Sequence, residues 1–90
     1  IGFFAFRGCS SLTSVTIPDS VAEIKFGAFY DCTSLMEVYC KPITPPMGDK
    51  DMFYNTASYL KIYVPRDSVE AYKSASNWSA YAASIVGYVF

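Results

Sequence analysis

Apolar and polar residues alternate over three short segments of the chain, and each segment predicts a strand with one buried face. The apolar positions are Val15 and Ile17, Val38 and Cys40, and Ile62 and Val64. A two-residue period places such side chains on one face of a strand and the residues between them on the other. A strand this short cannot bury its apolar face alone, so the pattern predicts that the three strands pack side by side.

The three segments belong to an internal repeat that appears when the chain is shifted along itself. A shift of 23 residues brings Phe6 onto Phe29, Cys9 onto Cys32, Leu12 onto Leu35 and Val15 onto Val38. A shift of 24 carries Phe29 to Phe53, Val38 to Ile62 and Tyr39 to Tyr63, with the extra residue in the proline-rich stretch 42–46.

The period and the spacing L-x-x-L-x-L are typical of leucine-rich repeats. Successive copies of this spacing are Leu12, Val15 and Ile17; Leu35, Val38 and Cys40; and Tyr59, Ile62 and Val64. We therefore predict an α/β-type solenoid of leucine-rich repeats of about 23 residues. Its short parallel strands should lie ~4.8 Å apart.

Residues 5–24 read Ala-Phe-x-Gly-Cys-x-x-Leu-x-x-Val-x-Ile-Pro-x-x-Val-x-x-Ile, and residues 28–40 repeat the first half of this pattern. This pattern resembles the BspA-like leucine-rich repeats, and the tail from Ile62 to Trp78 is similar to the C-terminal end often seen on such proteins. The resemblance breaks at residues 41–52, where prolines replace the usual segment. It implies an extracellular or cell-surface protein of anaerobic, often host-associated bacteria, or of eukaryotic parasites, that acts in adhesion.

The periodicity changes after Pro65, which divides the chain into repeats over residues 1–65 (about two and a half to three units) and a C-terminal cap over residues 66–90. Asp67 and Glu70 have the spacing of a capping box, which predicts a short helix over residues 68–76 that Asn77 ends. A further helical turn or two and a terminal strand over residues 85–90 should complete the cap. The chain opens without an initiator methionine, so we interpret it as a fragment or a processed product.

Composition excludes several functions. The chain has no histidine, and its formal net charge is −1 without any basic run, so neither a nucleic-acid binder nor a histidine-based catalytic site is expected. No apolar stretch approaches the ~20 residues of a membrane helix. We predict no enzyme activity and no cofactor. Asp49 and Asp51 could bind calcium weakly, although a solvated turn is the favoured interpretation.

The repeated cysteines and phenylalanines have a structural explanation. Cys9, Cys32 and Cys40 fall at inward positions, which predicts free thiols in the core. A Cys9–Cys32 disulfide stays open as an alternative, since bridged Cα atoms lie ~4.4–6.8 Å apart. The phenylalanines that recur in register, Phe6, Phe29 and Phe53, predict a stacked spine instead of an exposed binding platform.

The outward strand positions carry the candidate binding site, because solenoids commonly bind on their concave face. The candidate residues are Glu37, Tyr39, Lys41, Lys61 and Tyr63. Tyrosine combines apolar area with a polar tip, which suits a contact surface. The alternative is that the tyrosines form a cross-strand pair that only stiffens the sheet.

Two functions follow from this sequence. The first is a non-catalytic protein-binding or adhesion module of a bacterial cell-surface protein, whose ligand is a protein or the surface of a host or neighbouring cell. The second is a structural C-terminal end-piece of a longer solenoid whose upstream repeats bind the ligand. In addition, residues 1–12 carry Phe3, Phe4 and Phe6 without a polar cap, which predicts self-association through this end.

Overall fold

A four-stranded sheet forms the centre of the computed structural model, which describes residues 1–90. The strands are β1 (Ser14–Ile17), β2 (Glu37–Cys40), β3 (Lys61–Pro65) and β4 (Ile85–Tyr88). They lie in chain order, and each pairs in parallel with the next. The chain therefore makes one coil between successive strands, and each coil stacks on the one before it.

The strand register confirms the alignment of the repeats. Val38 pairs with Val15 on one side and with Ile62 on the other, and Ile62 pairs in turn with Ile85. Val38 and Ile62 are completely buried, whereas Val15 is half-buried. The difference arises because β1 is an edge strand and has a neighbour on one side only.

The coils also stack outside the sheet, where the predicted phenylalanine spine is confirmed. The ring of Phe29 lies 5.1 Å from that of Phe6 and 5.4 Å from that of Phe53, with interplanar angles of 2° and 9°. Backbone hydrogen bonds join the same successive coils. The Phe6 N–H donates to the Ala28 carbonyl at 2.8 Å, and the Phe29 N–H donates to the Met52 carbonyl at 2.9 Å.

Each coil turns at two equivalent positions that have a left-handed backbone. The first set is Phe4, Gly27 and Asp51, with φ of 50°, 61° and 57°; the second is Gly8, Asp31 and Asn55, with φ of 73°, 60° and 56°. Glycine, asparagine and aspartate tolerate this region best. Gly27 is also required for space, since a Cβ there would lie 2.6 Å from the Phe4 ring.

The third coil corrects one predicted position. Tyr59 was expected to fill the first apolar slot of the repeat, but it is 64% exposed, while Leu60 is 6% exposed and takes the core position. The Leu60 N–H donates to the carbonyl three residues earlier, as the Leu35 N–H does in the preceding coil. The turn before Leu60 holds one extra residue, which shifts the core position by one.

The segment after β3 contains the 3-10 helix Arg66–Ser68, helix α1 (Val69–Ser74) and the 3-10 helix Ser79–Ser84. The predicted capping box is wrong, because Asp67 lies inside the first 3-10 helix and no side chain caps α1. Ser68 precedes α1, but its hydroxyl donates to the Ile43 carbonyl at 2.7 Å instead. Helix α1 is accordingly shorter than predicted.

The remaining predictions for this segment agree with the structure. Asn77 follows α1 with a φ of 66°, a left-handed conformation that cannot continue a helix. A further helical stretch follows it, and β4 forms at the end of the chain, although the strand stops at Tyr88.

Two large aromatic side chains from this segment, Tyr72 and Trp78, close the last coil and are completely buried. The Tyr72 hydroxyl donates to the Pro42 carbonyl at 2.5 Å, and the Trp78 indole N–H donates to the Pro46 carbonyl at 2.8 Å. The segment therefore satisfies the carbonyls of the proline-rich stretch while it covers the core.

Candidate functional site

The solvent-facing side of the sheet, called here the outer sheet face, presents three rows of side chains. One row comprises Ser14, Glu37 and Lys61, the next comprises Thr16, Tyr39, Tyr63 and Val86, and the third comprises Pro18, Lys41, Pro65 and Tyr88. All five residues predicted as binding residues therefore lie on one surface.

The two tyrosines of the middle row are stacked on each other. The rings of Tyr39 and Tyr63 lie 5.0 Å apart with an interplanar angle of 15°. The Tyr39 hydroxyl donates to the Glu37 carboxylate at 3.2 Å. Partial burial and the nearby carboxylate together raise the pKa of Tyr39, so its hydroxyl stays protonated as a donor. Lys41 and Lys61 are exposed at the two sides of this pair.

Two further aromatic residues, which the sequence analysis did not include, extend the pair. The Tyr88 ring lies 5.5 Å from that of Tyr39 and 5.3 Å from that of Tyr63, at angles of 69° and 60°. Phe90 packs on Tyr88 at 4.9 Å. We call Tyr39, Tyr63, Tyr88 and Phe90 the aromatic cluster. Tyr88 could have been found by aligning the terminal strand with Lys61–Pro65, because Ile85 then falls beside Ile62 and Tyr88 points outward.

An elongated depression, called here the trough, lies beside the aromatic cluster where the strands end. It consists of two adjoining grooves of about 560 and 530 Å³. The grooves share Asp19, Lys41 and Ile43. The first also has Pro65, Arg66, Asp67, Ser68, Tyr88, Val89 and Phe90 in its wall, and the second has the proline-rich stretch 42–46.

The three cysteines are free, and two of them lie in the core. The Cys32 thiol donates to the Phe6 carbonyl at 2.9 Å, and the Cys40 sulfur lies 3.4 Å from the Tyr72 hydroxyl oxygen. Burial raises the pKa of Cys40 to about 11 and also raises the pKa of Cys32. Cys9 differs from the prediction because it is half-buried in the first coil.

The loop between the second coil and the third shows no arrangement suited to calcium. The Asp49 carboxylate accepts a hydrogen bond from the Lys50 backbone N–H at 2.7 Å, and Asp51 occupies a left-handed turn position. No cluster of three or more acidic, cysteine or histidine side chains has the geometry to hold a metal ion.

The first coil is partly covered. The Ile1 ammonium donates to the Glu23 carbonyl at 2.8 Å, and the Arg7 guanidinium lies 5.1 Å from the centre of the Phe4 ring. Phe3 is nevertheless 64% exposed, and Phe4 and Phe6 are each more than a third exposed.

Comparison with known proteins identifies the family. A family model described as BspA type leucine rich repeat region matches residues 1–82 in six copies. No curated protein matches the chain significantly. The helices of the structure are all too short and too polar to cross a membrane. Since the matched residues cover most of the chain, and the stacked coils and parallel strands agree with the repeat, the protein belongs to the BspA-type leucine-rich repeat family.

Proposed function

We propose that this chain is a non-catalytic protein-binding module of a bacterial cell-surface protein, and that it acts in adhesion outside the cell. Leucine-rich repeats are in general interaction surfaces, with the ligand on the concave side of a solenoid. In this proposal the outer sheet face is that concave side. The ligand is a protein, or a surface component of a host or neighbouring cell.

The observation that carries the proposal is the solvent exposure of the aromatic cluster. Tyr88 and Phe90 are 41% and 47% exposed, and they lie next to two stacked tyrosines on the same face. Tyrosine contributes a large contact area at a small loss of conformational entropy, and tyrosines are enriched among the residues that dominate binding energy. The cross-strand stack also holds these rings in place before any partner arrives.

The charged residues around the cluster support the same conclusion. The chain contains one ion pair, between Lys25 and Glu23 at 3.2 Å, and it lies away from the outer sheet face. Lys41 and Lys61 thus have no anionic partner within the chain, and both are exposed. Such charges are free to orient a partner and to raise its rate of association.

An array of extracellular-matrix proteins, host cell-surface proteins and glycans, probed with the labelled chain, tests the proposal. For any partner that binds, replacing Tyr39 and Tyr63 together by alanine should weaken the Kd at least tenfold, which corresponds to ~1.4 kcal/mol. Tyr54→Ala is the matched control, because Tyr54 is also exposed and stacked, on Tyr30, but lies away from the sheet. Equal binding by both variants, or no binding anywhere on the array, would contradict the proposal.

A structural end-piece is the second candidate, and the closure of the last coil favours it. Trp78 and Tyr81 pack on Phe53, the last ring of the phenylalanine spine, at 6.0 Å and 5.4 Å. The open end of a repeat array needs such a cover to stay soluble. If this is the main role, fusing residues 66–90 to the C-terminal end of an uncapped set of related repeats should raise the melting temperature of those repeats. The labelled chain should then bind nothing on the array of proteins and glycans.

A further inference from the structure

We propose that the trough binds an extended, proline-rich segment of a partner protein in the polyproline II conformation. The inference rests on the proposed protein-binding function and adds the chemistry of the bound segment.

The length of the trough suits such a segment. The trough crosses the ends of four parallel strands, from Asp19 after β1 to Phe90 after β4. Three strand spacings of ~4.8 Å make it about 14 Å long, and a polyproline II chain that rises ~3.1 Å per residue would fit about four or five residues into it.

The walls carry exposed apolar side chains among polar ones, and the proline-rich part of the wall offers few backbone donors. Ile43 and Val89 are 77% and 73% exposed, and both line the first groove. The second groove contains Pro42, Pro45 and Pro46, which have no backbone N–H. A β-strand partner needs a ladder of backbone donors and acceptors, which the three prolines interrupt, whereas a polyproline II segment needs no such ladder.

Side-chain donors are nevertheless present for the carbonyls of the bound segment. Tyr88 is the tyrosine that lines the trough, and its hydroxyl has no hydrogen-bond partner within the chain, in contrast to the hydroxyls of Tyr39, Tyr72 and Tyr81. Aromatic rings with available hydroxyl groups are the usual lining of grooves that recognise proline-rich segments.

The charges of the trough also fit an uncharged segment. Lys41 and Arg66 are balanced by Asp19 and Asp67, so the lining has two positive and two negative side chains. Since complementary potentials favour binding, this balance selects against polyanions such as nucleic acids or sulfated glycans.

A neutral sugar fits the aromatic cluster less well, because it would need a broad, free ring face. The rings of Tyr39 and Tyr63 are stacked face to face, and the Tyr88 ring packs edge-on against both of them.

Titration of the isotope-labelled chain with decaproline, followed by two-dimensional NMR, tests the inference. Decaproline should shift the signals of Lys41, Ile43 and Tyr88 in a saturable manner. Replacing Tyr88 and Phe90 together by alanine should weaken this binding at least tenfold, while Tyr54→Ala should leave it unchanged. A second variant, Tyr88→Phe, keeps the ring and removes the hydroxyl, so it should fold normally and lose part of the affinity.

Two control ligands make the result decisive. A Gly-Ser decamer tests for unspecific peptide binding, and a neutral glucose hexasaccharide tests for a sugar site. The inference is overturned if decaproline causes no saturable shifts, if the Gly-Ser decamer binds equally well, or if the hexasaccharide binds instead. A partner from the array that depends on Tyr39 and Tyr63 would leave the proposed function standing in each of these cases.

Discussion

Burial controls the chemistry of the titratable side chains in the core. Cys40 lies at an inward strand position and contacts the Tyr72 hydroxyl, and both side chains are completely buried. Burial raises the pKa of each group, because a thiolate or phenolate would lose its hydration there. In the folded chain these groups are therefore neutral packing elements, and neither is a nucleophile.

The Cys40 thiol should make the stability of the fold depend on alkaline pH. Its pKa is about 11 in the folded chain against an ordinary 9.0, so the unfolded chain loses the proton first. The stabilisation is fully present below pH 9 and is lost as the pH rises towards 11, by ~2–3 kcal/mol for this group. Urea unfolding from pH 8 to 11 should show a shallower loss of stability for Cys40→Val than for the parent chain.

The control for this experiment is Cys9→Ser, which changes a half-buried thiol in the outermost coil. It should keep the steep alkaline loss of the parent chain. If Cys40→Val and the parent chain lose stability in parallel, the thiol is not buried as the structure describes.

Among the elements of the fold, helix α1 owes its position to hydrogen bonds made to the preceding coil. Its side chain Tyr72 donates to the Pro42 carbonyl, and the Ser68 hydroxyl just before the helix donates to the Ile43 carbonyl. A helix of six residues is not stable alone in water, so these contacts and the burial of Tyr72 must hold it.

Removing the Tyr72 hydroxyl should therefore destabilise the whole chain. Tyr72→Phe leaves the buried Pro42 carbonyl without its partner, which should lower the free energy of unfolding by about 1–3 kcal/mol. Thermal and urea unfolding measure this loss. Tyr59→Phe, which alters an exposed tyrosine, should change the stability little. Equal effects of the two substitutions would refute the role given to the hydrogen bond.

The elements also show how far the sequence could predict the fold. Strand positions and register were predictable, because Val15, Val38 and Ile62 recur at intervals of 23 and 24 residues and each pairs with its copy in the next coil. The hydrogen bonding at the start of α1 was not, because Ser68 bonds to Ile43, which is remote in the chain and has no local signature. The position of Leu60 was not predictable from the period either, because the turn before it is one residue longer and the step from it to Ile62 is one residue shorter, so the strand positions do not change.

The candidate binding surface was predictable to a similar extent. Alternation placed Tyr39 and Tyr63 on one face, and the structure stacks them there. Tyr88 and Phe90 were missed because the repeats were aligned only as far as β3, and residues 66–84 contain helices where the earlier coils have none. The trough was not predictable either, because its residues come from successive coils and no single repeat contains it.

For the whole molecule, the two outermost strands of the sheet differ in what packs on them. The segment Arg66–Ser74 packs on the inward side of β4, with the Val69 side chain and the Arg66 backbone close to Gly87. The β1 edge has no strand beside it, and the ring of Phe6 stacks on Phe29 with one face while remaining 37% exposed. An unpaired edge next to exposed apolar rings favours association with another chain.

We therefore predict that the 90-residue chain self-associates through residues 1–12 and the β1 edge. A two-fold dimer would pair the two β1 strands antiparallel. Sedimentation velocity over a concentration series should show a dimer that Phe3→Ser with Phe4→Ser weakens. Tyr54→Ala, which alters an exposed ring remote from this edge, should leave the dimer intact. A monomer at every concentration would mean that the Arg7 guanidinium over Phe4 and the contacts of Ile1 already cover the first coil sufficiently.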